Sequence, residues 1–208
     1  MSEFSRTFQQ TATDQLARDL LGVTLCYQTP RGRVSGWIVE DEAYLGVNDP
    51  ASFAYHGHQD RRNLPLYQAG GTIYLYKLYG RYVLDVVTQP VGNPQAILFR
   101  ALEPAQGQDL MADNRPINGR QLTNGPAKLV EALGISGAQL TGHAFDQGPL
   151  RLDWHHRRHP RQIVTATRRG AQAATPSAFS QQRFYVAGNP YVSTIHVREI
   201  DHDRHGWR

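Results

Sequence analysis

The run Glu40-Asp41-Glu42, inside "GWIVEDEAYLG" at 36–46, sets three carboxylates between an apolar stretch and an aromatic residue. Carboxylates on a segment entering a core are costly unless they are paired or put to use. On an extended strand, alternation puts Glu40 and Glu42 on one face and Asp41 on the other. Two carboxylates on one face can share acid–base work, or one can act while an arginine anchors its neighbour. The run is equally compatible with a strand end whose acids are solvated. Tyrosines extend the pattern. "TIYLYKLYG" carries Tyr74 and Tyr76 on one face of a regular strand, Tyr79 falls in the turn beyond, and Tyr44 follows the acids. A core built for apolar packing uses Leu, Val or Phe rather than phenols that need partners. An aromatic slot beside a carboxylate suits a flat, electron-poor guest, and a base flipped out of DNA is such a guest. Tyrosines are common on strands, so spacing by itself does not decide between slot and core.

The elements that must hold these residues can be read in outline. Residues 13–22 predict a short helix, with Thr13 as its cap, Leu16, Ala17, Leu20 and Leu21 on one face, and Gly22 as its stop. A strand over 23–28, a turn at 29–33 and a returning strand over 34–44 predict a hairpin that delivers the acids. Residues 46–69 are polar and broken by Pro50 and Pro65, and so long a loop in a compact domain is a functional candidate. Strand character returns over 71–87 and 95–104, a helix is predicted over 125–135, and short strands over 183–188 and 191–197. Strands outnumber helices without regular interleaving. The predicted class is therefore α+β, a single domain over 1–208 with a mainly antiparallel curved sheet and flanking helices.

Composition narrows the function. Of 208 residues 40% are hydrophobic, enough for one ordinary core, and the formal net charge of +4 suits a polyanionic partner. The basic residues fall in short pairs, among them Arg31/Arg33, Arg61/Arg62, Arg157/Arg158 and Arg168/Arg169, rather than in a tail. The single cysteine, Cys26, rules out an internal disulfide and a zinc cluster and reads as a small buried strand residue. "DWHHRRHPR" at 153–161 reads as a solvated basic loop rather than a metal site, and the tail at 201–208 as frayed. No segment has the form of a leader peptide or a membrane span, so a cytoplasmic location is expected. "NGPAKL" lacks the spacing of a phosphate loop.

Taken in order, "VEDEAYLG…DPAS" with "RN" downstream, "GTIYLYKLYG", "LFRALEP", "NGPAKLVEALGI" and "RFYVAGNPYVS" resemble the alkyladenine (3-methyladenine, or methylpurine) DNA glycosylase family, from about residue 13 to about residue 195. The resemblance implies a base-excision enzyme acting on damaged purines in double-stranded DNA, as a monomer, without metal or other cofactor. It makes Glu42 the general base that activates the water attacking C1′, and Arg100 the arginine that helps hold that water and the adjacent phosphate. Tyr44 and Tyr76 match the aromatics that sandwich the flipped base, Tyr74 another pocket tyrosine, and Tyr79 the residue wedged into the duplex. No lysine stands where the family uses a nucleophile, which implies a monofunctional hydrolase leaving an abasic site. The chemistry is consistent: alkylation at N3 or N7 makes the purine cationic and weakens its glycosidic bond. A dry slot, stacking and a carboxylate near water are then what remains to be supplied.

Two positions depart from the family pattern. "DPASFA" puts Phe53 where a histidine usually reads the base edge, leaving a backbone carbonyl and apolar contact; His56, three residues on, does not replace it. "VLDVVT" is one residue shorter than the usual segment, whose Asn crowds guanine. Asp85 takes that position if the gap precedes it, Val86 on ungapped counting, and Asp85 keeps "VVT" in register. These departures motivate an alternative, a damaged-DNA binding protein with weak or lost catalysis. The presence of Glu42 and Arg100 argues against it, since a pure binder has no need of a water-activating pair.

Overall fold

The computed structural model describes residues 3–169 and 180–208. In chain order the elements are α1 (Glu3–Gln10), α2 (Thr13–Leu20), β1 (Thr24–Thr29), β2 (Gly32–Tyr44), β3 (Ile73–Leu78), β4 (Arg81–Thr88), β5 (Gln95–Gln106), α3 (Gln108–Asn114), α4 (Pro126–Ala132), β6 (Leu150–Asp153), β7 (Ile163–Ala166) and β8 (Arg183–Val186). The expected α+β class holds. The strands form one antiparallel sheet in the order β3-β4-β5-β2-β1-β6, with β8 on β2 and β7 on β8.

The 13-residue strand β2 organises the sheet. Along one edge it pairs with β5. Along the other its first half pairs with β1, and residues 40–42 pair with β8. Three register shifts lie in the β2–β5 ladder: one at Ser35–Gly36, one where Val39 is the extra residue on β2, and one where Arg100 is the extra residue on β5, facing the Glu40–Asp41 step. Bulges bend a strand and re-aim its side chains. Here the last two fall beside the acidic run.

Helix α2 lies on β2 and β5, and α4 on β4 and β5. Leu16, Leu20, Leu129 and Leu133 meet Ile38, Leu84, Ile97 and Phe99 in the main core, all of them fully buried. The expected cap of α2 is not made. Ala12 is the N-cap, and Thr13 is instead buried in the first turn with its hydroxyl 2.7 Å from Thr88 Oγ1 and from Gln95 Oε1.

Strand character over 71–87 resolves into a tight hairpin, β3–β4, turning at Tyr79-Gly80 with φ of 51° and 79°. Two successive positive φ values make the two-residue turn whose twist matches the strands, and Gly80 takes the second at no steric cost. The 46–69 loop contains three short 3₁₀ turns.

Two C-terminal expectations need correction. Residues 191–197 form turns rather than a strand, because the Ser193 N–H is spent on the Glu40 carboxylate (2.6 Å) and Thr194 sits at φ 60°. The tail is not frayed: Trp207 is buried and its Nε1 donates to Glu103 Oε2 at 2.7 Å. Glu103 also takes Asn189 Nδ2 at 2.5 Å and lies 2.9 Å from His205 Nδ1, so the end of β5 anchors the last residues. No helix of the described residues is long and apolar enough to cross a membrane.

Candidate active site

Strand register assembles the site. Directly paired residues of an antiparallel sheet point to the same face. Tyr74 pairs with Asp85, Asp85 with Leu98, Leu98 with Glu42 and Glu42 with Arg183, a row crossing β3, β4, β5, β2 and β8. One step along, Val87 pairs with Ala96 and Ala96 with Tyr44 on the same face. Val86 falls on the opposite face, in the main core, so Asp85 is the residue of this segment that reaches the site.

Glu40 and Glu42 share a face, and both are completely buried. The bulged Arg100 reaches between them, its Nε 3.2 Å from Glu40 Oε1 and its Nη1 3.2 Å from Glu42 Oε2. Glu40 is saturated. Arg183 Nη1 donates to it at 2.7 Å, the Ser193 N–H at 2.6 Å and the Ser193 hydroxyl at 2.8 Å. It acts as an anchor for two arginines. Glu42 receives the Arg169 N–H on Oε1 at 2.6 Å and the Tyr44 hydroxyl on Oε2 at 2.9 Å. These two bonds fill two of the roughly four acceptor sites of a carboxylate, Arg100 adds its charge at 3.2 Å, and acceptor capacity remains for a further donor. Burial pushes the Glu42 carboxyl above the usual range, against the opposing pull of Arg100 and the Arg169 N–H, which makes it a stronger base than a solvated glutamate.

In front of Glu42 lies a cleft of about 410 Å³, lined among others by Tyr44, Phe53, Tyr76, Tyr79, Asp85 and Arg100. Six of the eight predicted site residues therefore line one cavity. Glu42 lies beneath Tyr44 and Arg100 rather than on the wall. Tyr74 stands behind Tyr76, ring centroids 4.6 Å apart, with its hydroxyl donating to the Arg62 carbonyl at 2.9 Å. Phe53, half exposed, meets the Tyr76 ring edge-on at 5.3 Å. Its carbonyl accepts Asn63 Nδ2 at 2.9 Å, which ties the loop to the cleft. Tyr79 is 91% exposed at the hairpin tip. A positive φ at a bulky residue costs free energy, and the only evident return is the projection of its ring from the rim.

Several residues that build the site were not singled out in sequence. Arg168 is buried and binds both oxygens of Asp49 at 2.6 and 2.8 Å, donates to the Ala43 carbonyl and lies under the Tyr44 ring at 4.8 Å. It locks the 46–52 loop to Tyr44. Its one visible signal is membership of a basic pair. Arg183 and Ser193 stand at the two ends of the "RFYVAGNPYVS" motif, but neither was assigned a site role, since an Arg or Ser near a short strand is unremarkable. Conversely, two arginines of the 153–161 segment are spent inside the protein. Arg157 donates to the Asp19 and Leu21 carbonyls, and Arg158 stacks on Trp37 at 3.9 Å.

Asp41 points the other way, into the core beside Phe99 and Phe184. Neither carboxyl oxygen has a hydrogen-bond partner among the described residues. Burial first, then Glu40 and Glu42, hold its carboxyl well above the usual range despite Arg18. A raised folded-state value means that the folded protein binds this proton more tightly than the unfolded chain. The associated stability is full below the unfolded value near ~3.9 and is lost as pH rises toward the folded one, at up to about 1.4 kcal/mol per pH unit. Asp41→Asn is therefore expected to be more stable than the wild type at pH 8, with the difference shrinking toward pH 4. Urea denaturation at several pH values checks this, and a wild type that gains stability over the variant as pH rises would exclude it.

A larger groove of about 1030 Å³, bordered by Phe4, Arg33, Asp153 and Trp154, contains none of the predicted site residues. The tyrosine-lined cleft is the one with chemistry beneath it.

The methylpurine-DNA glycosylase (MPG) family profile matches residues 7–190. A protein of Latilactobacillus sakei named "Putative 3-methyladenine DNA glycosylase" is 44% identical over 201 residues, covering 96% of this chain and 94% of its own. Proteins with the same name from Lactiplantibacillus plantarum and Staphylococcus saprophyticus are 42% and 37% identical, covering 100% and 97% of this chain and 99% and 98% of theirs. A match of this extent, together with one cleft shared by the tyrosines, Asp85 and Arg100, places the chain in the methylpurine-DNA glycosylase family.

Proposed function

We propose that the protein is a monofunctional DNA glycosylase that flips alkylated purines, 3-methyladenine and 7-methylguanine, out of duplex DNA and hydrolyses the N-glycosidic bond. The observation that carries this reading is the Glu42 carboxylate, raised in basicity and held by two hydrogen bonds and the Arg100 ion pair, beneath a cleft walled by tyrosines. A flipped purine stacks between Tyr44 and Tyr76, whose rings favour a cationic guest. The free acceptor site of Glu42 takes a proton from water as that water attacks C1′, and the purine leaves with the bonding pair. Arg100, fixed by Glu40 and Glu42, sets a positive charge beside the incoming water and the neighbouring phosphate. The products are a free base and an abasic site.

Incubation with methylated duplex DNA, followed by alkaline cleavage and gel separation, should reveal abasic sites. Tight binding to methylated duplex without strand cleavage after alkali would instead indicate a damaged-DNA binding protein. Strand scission without alkali would contradict the monofunctional assignment.

The rim residue supplies a further expectation. Tyr79 on its rigid two-residue turn fills the stack that the flipped base vacates. Tyr79→Ala should reduce the extruded fraction about tenfold, since base stacking is worth roughly 1–3 kcal/mol, while leaving the fold intact. A fluorescent base analogue opposite the lesion site reports the extrusion, and an unchanged signal would remove Tyr79 from the DNA interface.

A further inference from the structure

Asp85 is not used by the mechanism, yet it occupies the cleft. It is 4% exposed, lies in the cross-sheet row between Tyr74 and Leu98, and lines the cavity. Its Oδ1 has no hydrogen-bond partner among the described residues. A buried carboxyl oxygen without a partner is costly, and one that faces a cavity can be satisfied by whatever enters it. The groups around it can be named strand by strand. From β3 come the phenols of Tyr74 and Tyr76; from β2 come Glu42 and Tyr44; from β5 comes Arg100. The walls contributed by α4 and the 64–67 turn are Pro126 and Leu66, without charge. Two arginines line the cleft: Arg100 is engaged by Glu40 and Glu42, and Arg169, on the segment after β7, donates its backbone N–H to Glu42 and forms no ion pair with Asp85. Asp85 thus faces phenols and another carboxylate, and no ion pair among the described residues neutralises it.

We propose that Asp85 is a specificity-determining residue that fits the cleft to positively charged purines, ionised against a cationic base and protonated against a neutral one. The proposal rests on the reading that the cleft receives a damaged purine. As a cationic base enters, the carboxyl proton passes to solvent and the carboxylate faces the opposite charge. When a neutral base enters, the proton stays, because an ionised Asp85 would be buried beside it unpaired. Burial also favours the protonated form in the free protein, partly countered by the Tyr76 hydroxyl. The two classes of lesion therefore select opposite protonation states of one side chain.

The preference is consequently pH-dependent, with a definite sign. The ratio of excision rates on 7-methylguanine and hypoxanthine duplexes, measured with enzyme below saturation, should rise with pH by up to about tenfold per unit above the ordinary carboxylate range. Glu42 serves both lesions, so its own titration cancels in the ratio. In Asp85→Asn the ratio should lose this slope, and at pH 7 it should fall about tenfold or more. A ratio flat with pH in the wild type, or a slope that persists in Asp85→Asn, overturns the proposal while the glycosylase reading stands. Failure of the wild type to excise either base would instead overturn that reading. The wild-type slope needs no variant, so poor folding of Asp85→Asn would not shield the idea.

Discussion

Glu42→Gln is expected to lower single-turnover excision from methylated duplex by about 10²–10⁴-fold, while binding to duplex carrying an abasic-site mimic stays within a few-fold of wild type. Glutamine preserves the shape of the side chain and keeps an oxygen for the Arg169 N–H, but it cannot take a proton from water. Arg100 retains its partner in Glu40, so its guanidinium should stay in place. In the wild type the carboxylate form is the active one, so the rate should fall as pH drops through the Glu42 value. Burial has raised that value, which places the acid limb above the ordinary glutamate range. Near-wild-type excision by Glu42→Gln would sink the assignment of the base.

Glu40→Ala should instead cost about 3–5 kcal/mol of stability, the usual consequence of stranding a buried charge by removing its partner. Arg183 loses its carboxylate, Arg100 loses one of two, and the Ser193 N–H and hydroxyl lose their acceptor together. For a chain of this size the loss corresponds to a melting temperature lower by roughly 6–20 °C. Activity should fall as well, because Arg100 is then held only by Glu42, and a shift of about 1 Å in a positioning group can cost 10²-fold. Thermal melting together with excision rates distinguishes the anchor from the base, since Glu42→Gln should leave the melt largely unchanged. A Glu40→Ala protein as stable as the wild type would show that the arginines find other partners.

Local pattern was enough wherever one element's own residues settled the matter. The apolar faces of α2 and α4, each with a glycine just beyond it, were readable because helix period and stop signals are confined to a dozen residues. The β1–β2 hairpin and the shared face of Glu40 and Glu42 follow from a period of two. The 191–197 segment misled for the same reason. Its β-branched residues suit a strand, but the Ser193 N–H was claimed by a carboxylate 153 residues away. The tail misled too, because a lone Trp207 among charged residues does not announce a buried acceptor on β5.

Sequence alone determined the inventory: a carboxylate run, four tyrosines, a basic chain, and an order of motifs that named the family. It determined which side chains could do acid–base work and stacking, because those capacities belong to residue types. Tertiary structure decided what each acid does. Three adjacent carboxylates have three surroundings: Glu40 sits among arginines, Asp41 lies in the core where burial holds its carboxyl well above the usual range, and Glu42 lies behind the Tyr44 and Arg100 wall of a cleft. The bulge at Arg100 and the register linking Tyr74, Asp85, Leu98 and Glu42 produced that division. The physical reason is that the charge state and reach of a buried group are set by partners that pairing brings within about 4 Å, and those partners lie as far as 143 and 153 residues away in the chain.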